Sequence, residues 1–147
     1  MEIPGESSFA PAETRVYRFN RVYRLYHLAA GAAFFVVALT LYRLPPVAFV
    51  LALFALFMIA RPFVSAVTVD PFSVTYRGTF SAKSIQRSAI TAVETKSTGR
   101  GSVLILWGNY EKKERLAIPA IFGFDDAWND WLSSYRDLSG DKPLSLF

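Results

Sequence analysis

The chain has 147 residues, 52% hydrophobic and 16% aromatic but only 19% charged, with a net charge of +4. That length is expected to hold one domain of ordinary size and a short appendage rather than a large multidomain enzyme. With no cysteine and a single histidine, disulfide frameworks, thiolate nucleophiles, cysteine zinc sites, iron–sulfur clusters and histidine-rich metal sites are excluded.

Residues 1–14 carry Pro, Gly, Ser and three glutamates without periodicity and read as a disordered tail. From residue 15 a basic side chain recurs at every third position, Arg15, Arg18, Arg21, Arg24 and then His27, with aromatics between. In a helix each step of three advances by about 300°, so these positions spread around the axis as a collar. A voltage sensor repeats arginines at the same interval, but inside its span and against acidic partners, which are missing here. The expected role is a juxtamembrane anchor that attracts anionic lipid or enforces topology.

No acidic residue lies between Glu13 and Asp70, and Arg43 is the one formal charge between Arg24 and Arg61. Two uncharged runs result, 25–42 and 44–60. As helices they cover roughly 27 and 26 Å, close to a hydrocarbon core. Arg24, Arg43 and Arg61 can snorkel, and Tyr23, Tyr26 and Tyr42 can sit at headgroup level. Pro45 and Pro46 end one helix and open the next, so a tight antiparallel hairpin is expected. Ala29 with Ala33 and Ala48 with Ala52 read either as a close-packing seam or as plain alanine-rich sequence. A signal peptide lacks support because Thr40-Leu41-Tyr42-Arg43 offers no small-x-small cleavage site. A soluble helical hairpin would show a polar stripe on each helix. Arg15, Arg18, Arg21, Arg24 and Arg61 on one side against Arg43 on the other predict a multi-pass inner-membrane protein with both termini cytoplasmic.

After Arg61-Pro62 the pattern shifts to short alternating segments with β-branched and aromatic residues between turn signals. Six strands are predicted, at 63–69, 72–77, 80–86, 90–96, 102–107 and 110–118. Val74, Tyr76 and Phe72 are expected on one face, and a bulge near Thr91 is expected to reconcile Ile90 with Ala92 and Val93. The 102–107 strand is apolar on both faces and should be central, whereas Glu111, Lys112, Lys113 and Glu114 imply a solvated hairpin end or edge. One helix follows, near 125–138, with Asp125 as N-cap, Asp126 in the first turn, and Gly140 and Pro143 as the stop. Phe124, Trp128, Trp131, Leu132, Tyr135 and Leu138 form its wide apolar face, expected to cover the open end or face of a curved sheet.

The stretches VTVDPFSVTYRG, SIQRSAITAVE and VLILWG, ending in GFDDAWNDWL, resemble in rhythm the bacterial PH-like domain membrane proteins, members of the pleckstrin-homology superfold, over roughly residues 15–138. The resemblance implies an α+β membrane protein: a two-helix transmembrane hairpin, then a PH-like antiparallel β-barrel or curved sheet of six to seven strands closed by one amphipathic helix. The expected organisation is a tail at 1–14, the arginine segment and hairpin at 15–62, the β domain at 63–140 and a tail at 141–147. Phosphoinositide-binding members use a basic cluster between their first two strands. Here that loop is expected at Asp70-Pro71, short and acidic, leaving Arg77, Lys83 and Arg87 as a scattered set that faces the bilayer or is ordinary surface charge.

Chemistry is sparse. His27 has no acid in either apolar run to orient it and is read as a packing residue. The same absence argues against proton-coupled transport and intramembrane aspartyl proteolysis. Asp125, Asp126 and Asp130 have a spacing that can hold Mg²⁺ for a diphosphate, but they sit where helix capping already demands acids. Gly99-Arg100-Gly101 lacks the Lys-Ser/Thr and helix of a phosphate loop and reads as a hairpin turn. Ten basic against nine acidic groups over 62–147 leave no basic face for nucleic acid. No catalytic residue, metal or cofactor is assigned. The expectation is a non-enzymatic module for protein interaction or assembly, with the lipid bilayer and a protein partner or a second copy as partners. The alternatives are an anionic-lipid headgroup sensor and a small membrane enzyme of lipid metabolism using the aspartates.

Overall fold

Two helices long and apolar enough to cross a membrane dominate the first half of the chain, α1 (Arg21–Thr40) and α2 (Pro45–Val64). The computed structural model describes residues 14–99, 101–108 and 114–139. All but Thr14 of the expected 1–14 tail, the expected tail at 141–147, the polar stretch Glu111-Lys112-Lys113 and the stop at Gly140 and Pro143 lie outside the described residues. Asn20 caps α1 by accepting the Tyr23 N–H at 2.9 Å, and Pro45 and Pro46 open α2 where no intrahelical N–H is needed. Helix α2 runs through Pro62 to Val64, two residues into what reads as strand; the Arg18 guanidinium donates to the Phe63 carbonyl at 2.8 Å, satisfying a C-terminal acceptor.

The helices pack antiparallel, and the residues they bury are His27, Gly31 and Ala38 of α1 and Ala55 and Pro62 of α2. A Cβ on Gly31 would lie 2.5 Å from Ile59 Cγ1 and 3.1 Å from the Ala55 carbonyl oxygen, so the backbones meet there. The seam expected at Ala29 and Ala33 is exposed, and Ala48 and Ala52 are only half-buried. Gly31 owns the contact because Ala29 and Ala33, two positions away on either side, turn about 200° from it.

The helical collar is corrected at its start. Arg15–Tyr17 is a strand, β1, paired antiparallel with β2 (Ala66–Val69), Arg15 opposite Val69 and Tyr17 opposite Val67. Tyr17 and Phe19 are buried while Val16 and Arg18 are exposed, a period-two pattern that the three-residue recurrence of arginine masks. The hairpin is thus inserted between two neighbouring strands of one sheet.

That sheet continues through β3 (Ser73–Arg77) and β4 (Ala82–Gln86) in the order β1-β2-β3-β4. A single 3-10 turn at Arg87–Ala89, instead of a bulge near Thr91, carries the chain into the second sheet. There β5 (Ala92–Thr98), β6 (Gly101–Trp107) and β7 (Arg115–Pro119) pair antiparallel, and a two-residue β8 (Arg136–Asp137) adds parallel to β5, giving the order β7-β6-β5-β8. Among the described residues eight strands stand where six were predicted, and the two sheets do not close into a barrel. β6 is central, with Leu104, Ile105 and Leu106 buried on both faces. Phe72 stays outside β3 in an exposed turn rather than joining the Val74 face.

Helix α3 is Asp126–Ser133, shorter than the predicted 125–138. It ends where the Ser133 and Ser134 hydroxyls donate to the Asp130 and Trp131 carbonyls, and the chain then extends into β8, with Leu138 N–H on the Val93 carbonyl. Trp128, Trp131 and Leu132 are buried against Val67, Val69, Val74, Ile85, Leu104, Leu106, Leu116 and Ile118 from both sheets. Burying each of these three α3 side chains is worth roughly 1.5–3 kcal/mol.

Candidate membrane and interaction surfaces

Strand register divides the β domain into two ends. β2 follows directly on α2, so the row Ala66, Arg77 and Ala82 lies at the helix end. The Phe19–Phe122 bridge and the Asn20 N–H bond to the Ile121 carbonyl bring the C-terminal end of β7 to the same end. Arg15, the Asp70 turn and α3 are at the far end.

The carboxylates follow this division. Arg18, Arg21, Arg24, Arg61, Arg77 and Lys83 belong to the helix end, with no carboxylate there among the described residues. Asp70, Glu114, Asp125, Asp126, Asp130 and Asp137 belong to the far end, where Arg15, Arg87, Arg115 and Arg136 also lie. Glu94 lies between, paired with Lys96 at 3.3 Å.

Each predicted anchor can be located. Arg15 leaves the collar: it ion-pairs with Asp125 at 3.0 Å at the far end of the domain. Arg18 reaches Phe63, and Arg24 the Phe19 carbonyl at 3.4 Å. Arg21 is exposed on the first turn of α1, and Arg61 is half-buried in the last turn of α2. Arg43 donates to the Tyr42 hydroxyl at 3.1 Å in the turn between the helices; Tyr23 and Tyr26 are exposed near the start of α1. His27 is buried; its Nδ1 donates to the Tyr23 carbonyl at 2.8 Å, and its ring meets Phe19 and Tyr26 edge-on.

At the far end, the α3 face is an aromatic column. Phe124 stacks on Trp128 at 4.5 Å, Trp128 meets Trp131 at 5.2 Å, and Trp131 meets Tyr135 at 5.3 Å. Leu138 is half-buried beyond the helix. Arg87 departs from the expected basic set: it is buried, its guanidinium 5.1 Å above the Trp131 ring and its Nη1 3.3 Å from the Asp70 carbonyl oxygen. Burial pushes the Tyr135 hydroxyl above its ordinary pKa despite nearby Arg87.

Asp125 ties β1 to α3. Its carboxylate accepts from the Trp128 N–H at 2.9 Å, the Tyr17 hydroxyl at 2.9 Å and Arg15 at 3.0 Å. Partial burial pushes its pKa up, but the Trp128 N–H, Tyr17 and Arg15 outweigh it and leave the group below the usual carboxylate range. Asp126 and Asp130 are exposed. Among the described residues no three histidines or carboxylates converge on a point where a metal ion could sit.

The loop assignment is also corrected. Because β1 precedes the hairpin, the connection between the first two strands is the hairpin itself, and Asp70-Pro71 joins the second and third. Asp70 closes that turn by accepting from the Ser73 hydroxyl and from the Phe72 and Ser73 N–H groups, with the Ser73 hydroxyl foremost in holding its pKa down. Thr98 pairs with Gly101 across the β5–β6 turn, where Gly101 has φ +128°, a conformation that favours glycine.

Between the β4 and β7 edges opens a cleft of about 570 Å³ lined by Ser84, Ile85, Gln86, Ala89, Glu114 and Arg115. The Arg15–Tyr17–Asp125 link, the Arg18 cap and the Gly31 contact escape sequence reading because each joins positions far apart in the chain. The strand alternation at Tyr17 and Phe19 was the one local signal for them. Among known protein families, curated proteins and solved structures, none matches the chain.

Proposed function

We propose that the chain is a membrane-anchored, non-enzymatic module of PH-like type that mediates protein interaction or assembly at the cytoplasmic face of the cell membrane. The hairpin surface carries this reading. Leu25, Val36, Leu39, Phe49, Val50 and Leu53 all point outward and are more than half exposed. An apolar surface of that extent on both helices is an interaction site by default, and a bilayer covers all of it at once. Two crossings return the chain to the side it left, as the pairing of β1 with β2 requires. Arg18, Arg21, Arg24 and Arg61 against Arg43 favour the cytoplasm for that side.

The PH-like reading draws support from element order: β1–β4 in one sheet, β5–β7 in another, then a helix packed between them, with β8 as an addition. A partner strand, from another protein or a second copy, would pair with the β4 or β7 edge beside the cleft. Alkaline carbonate should leave the full chain in the membrane pellet, and a reporter fused after Phe147 should be active only in its cytoplasmic form. A photo-crosslinker at Gln86 should capture a protein in native membranes, whereas one at exposed Val16, away from the cleft, should not. Release by carbonate refutes the anchor, and equal labelling from both positions refutes the edge as the docking surface. A second reading, recognition of anionic lipid, is favoured by the concentration of cations at the helix end.

A further inference from the structure

The most exposed large apolar side chain among the described residues is Phe80, at 88%, and it lies at the tip of the turn joining β3 to β4. A bond from the Gly78 N–H to the Ser81 carbonyl at 2.7 Å tightens that turn, leaving Thr79 half-buried and Phe80 exposed at its tip. The turn belongs to the helix end of the domain. The Phe80 ring lies nearly parallel to Phe57 of α2, with centroids 5.6 Å apart, yet most of its surface stays open. Phe57 is one helical turn before Arg61, about 6 Å deeper along the axis. With Arg61 at headgroup level, the Phe80 ring therefore reaches the top of the acyl region.

Exposed cations flank the tip: Arg77 closes the ladder opposite Ala82, and Lys83 sits opposite Tyr76, one on each face of the strand pair. No acidic residue lies between Asp70 and Glu94. An apolar residue between cations, continuous with a bilayer-sized apolar hairpin, is complementary to a leaflet bearing anionic headgroups.

We infer that the β3–β4 turn is a second membrane contact: Phe80 inserts beside α2 while Arg77 and Lys83 engage anionic lipid headgroups, which fixes the tilt of the β domain on the bilayer. This rests on the hairpin spanning the membrane. Phe72, 83% exposed in the β2–β3 turn, is at the opposite end and serves as the control.

Because the chain has no cysteine, single thiols can be introduced without background. Full-length Ser81→Cys, Phe72→Cys and Phe54→Cys variants would carry an environment-sensitive fluorophore. They would be reconstituted in phosphatidylcholine vesicles with or without phosphatidylglycerol, using shallow and deep nitroxide lipids and aqueous iodide as quenchers. The expected result is shallow-lipid quenching at position 81, deep quenching at 54 and iodide quenching at 72. Phe80→Ser should return the position 81 label to water. Arg77→Gln and Lys83→Gln should each lower its docked-to-undocked ratio roughly fivefold on anionic vesicles. Quenching at 81 by iodide alone, with 54 deep in lipid, overturns the contact while leaving the spanning hairpin intact. Water at 54 refutes the hairpin and the contact with it. Equal losses for the cation variants on both vesicle types overturn the headgroup assignment.

Discussion

Replacing Asp125 by alanine removes three interactions at once and tests whether β1 belongs to the β domain. The carboxylate caps α3 through Trp128, binds the Tyr17 hydroxyl and pairs with Arg15. Loss of an N-cap costs about 0.5–2 kcal/mol. The Arg15 pair adds little, because its side chains are 43% and 49% exposed and solvent screens them, whereas loss of the part-buried Tyr17 hydrogen bond adds about 0.5–1.5 kcal/mol. The expected loss for Asp125→Ala is therefore about 1–3.5 kcal/mol. The folded-state pKa of Asp125 lies below its unfolded value, so its contribution is full above about pH 4 and is lost as pH falls through the folded value. Denaturant unfolding of the full chain in detergent, followed by the fluorescence of core Trp128 and Trp131, reads both effects. The difference between wild type and Asp125→Asn should be constant near neutrality and shrink towards acid. A Tyr17→Phe change should cost less in the Asp125→Ala background than alone. An Asp125→Ala chain as stable as wild type, or a difference that grows towards acid, refutes the link.

Trp131→Ala should destabilise the β domain by about 3–5 kcal/mol, since the indole is 1% exposed and supports the Arg87 guanidinium; a change below about 1 kcal/mol in the same unfolding assay contradicts its place in the core. Gly31→Val should cost about 1–3 kcal/mol by pushing Ile59 away, whereas Ala29→Val, on an exposed face, should be close to neutral. Thermal unfolding in bilayer discs separates the two, and equal effects would show that the helices meet elsewhere.

How much of the architecture was legible depended on the range of the interaction behind each feature. The two apolar helices, the Pro45-Pro46 opening, the Asp125 cap and the central 102–107 strand rest on local composition and periodicity, and the structure contains each of them. The N-terminal arginines show the opposite. Their spacing fits a helix from Arg15 onward, but Val67, Thr68 and Val69 offer a free edge that claims Arg15–Tyr17 as a strand, and α1 begins only at Arg21. In the same way, Tyr135 and Leu138 continue the helical spacing of α3, yet residues 136–137 gain more from pairing with the open edge of β5. Arg87, read among surface cations, is buried because the Trp131 face and the Asp70 carbonyl receive it.

The amino-acid order alone determined where apolar surface must be hidden, because the absence of charge across 25–42 and 44–60 and the alternation after residue 62 are properties of consecutive residues. Tertiary structure decided which segments share a sheet, which face of each helix meets its neighbour, and that the described carboxylates of the β domain lie away from its helix end. Those outcomes depend on pairings such as Tyr17 with Val67, Gly31 with Ile59 and Phe57 with Phe80. Each is a contact across many residues of chain, and its energy exists only once the intervening segments have folded back to create it.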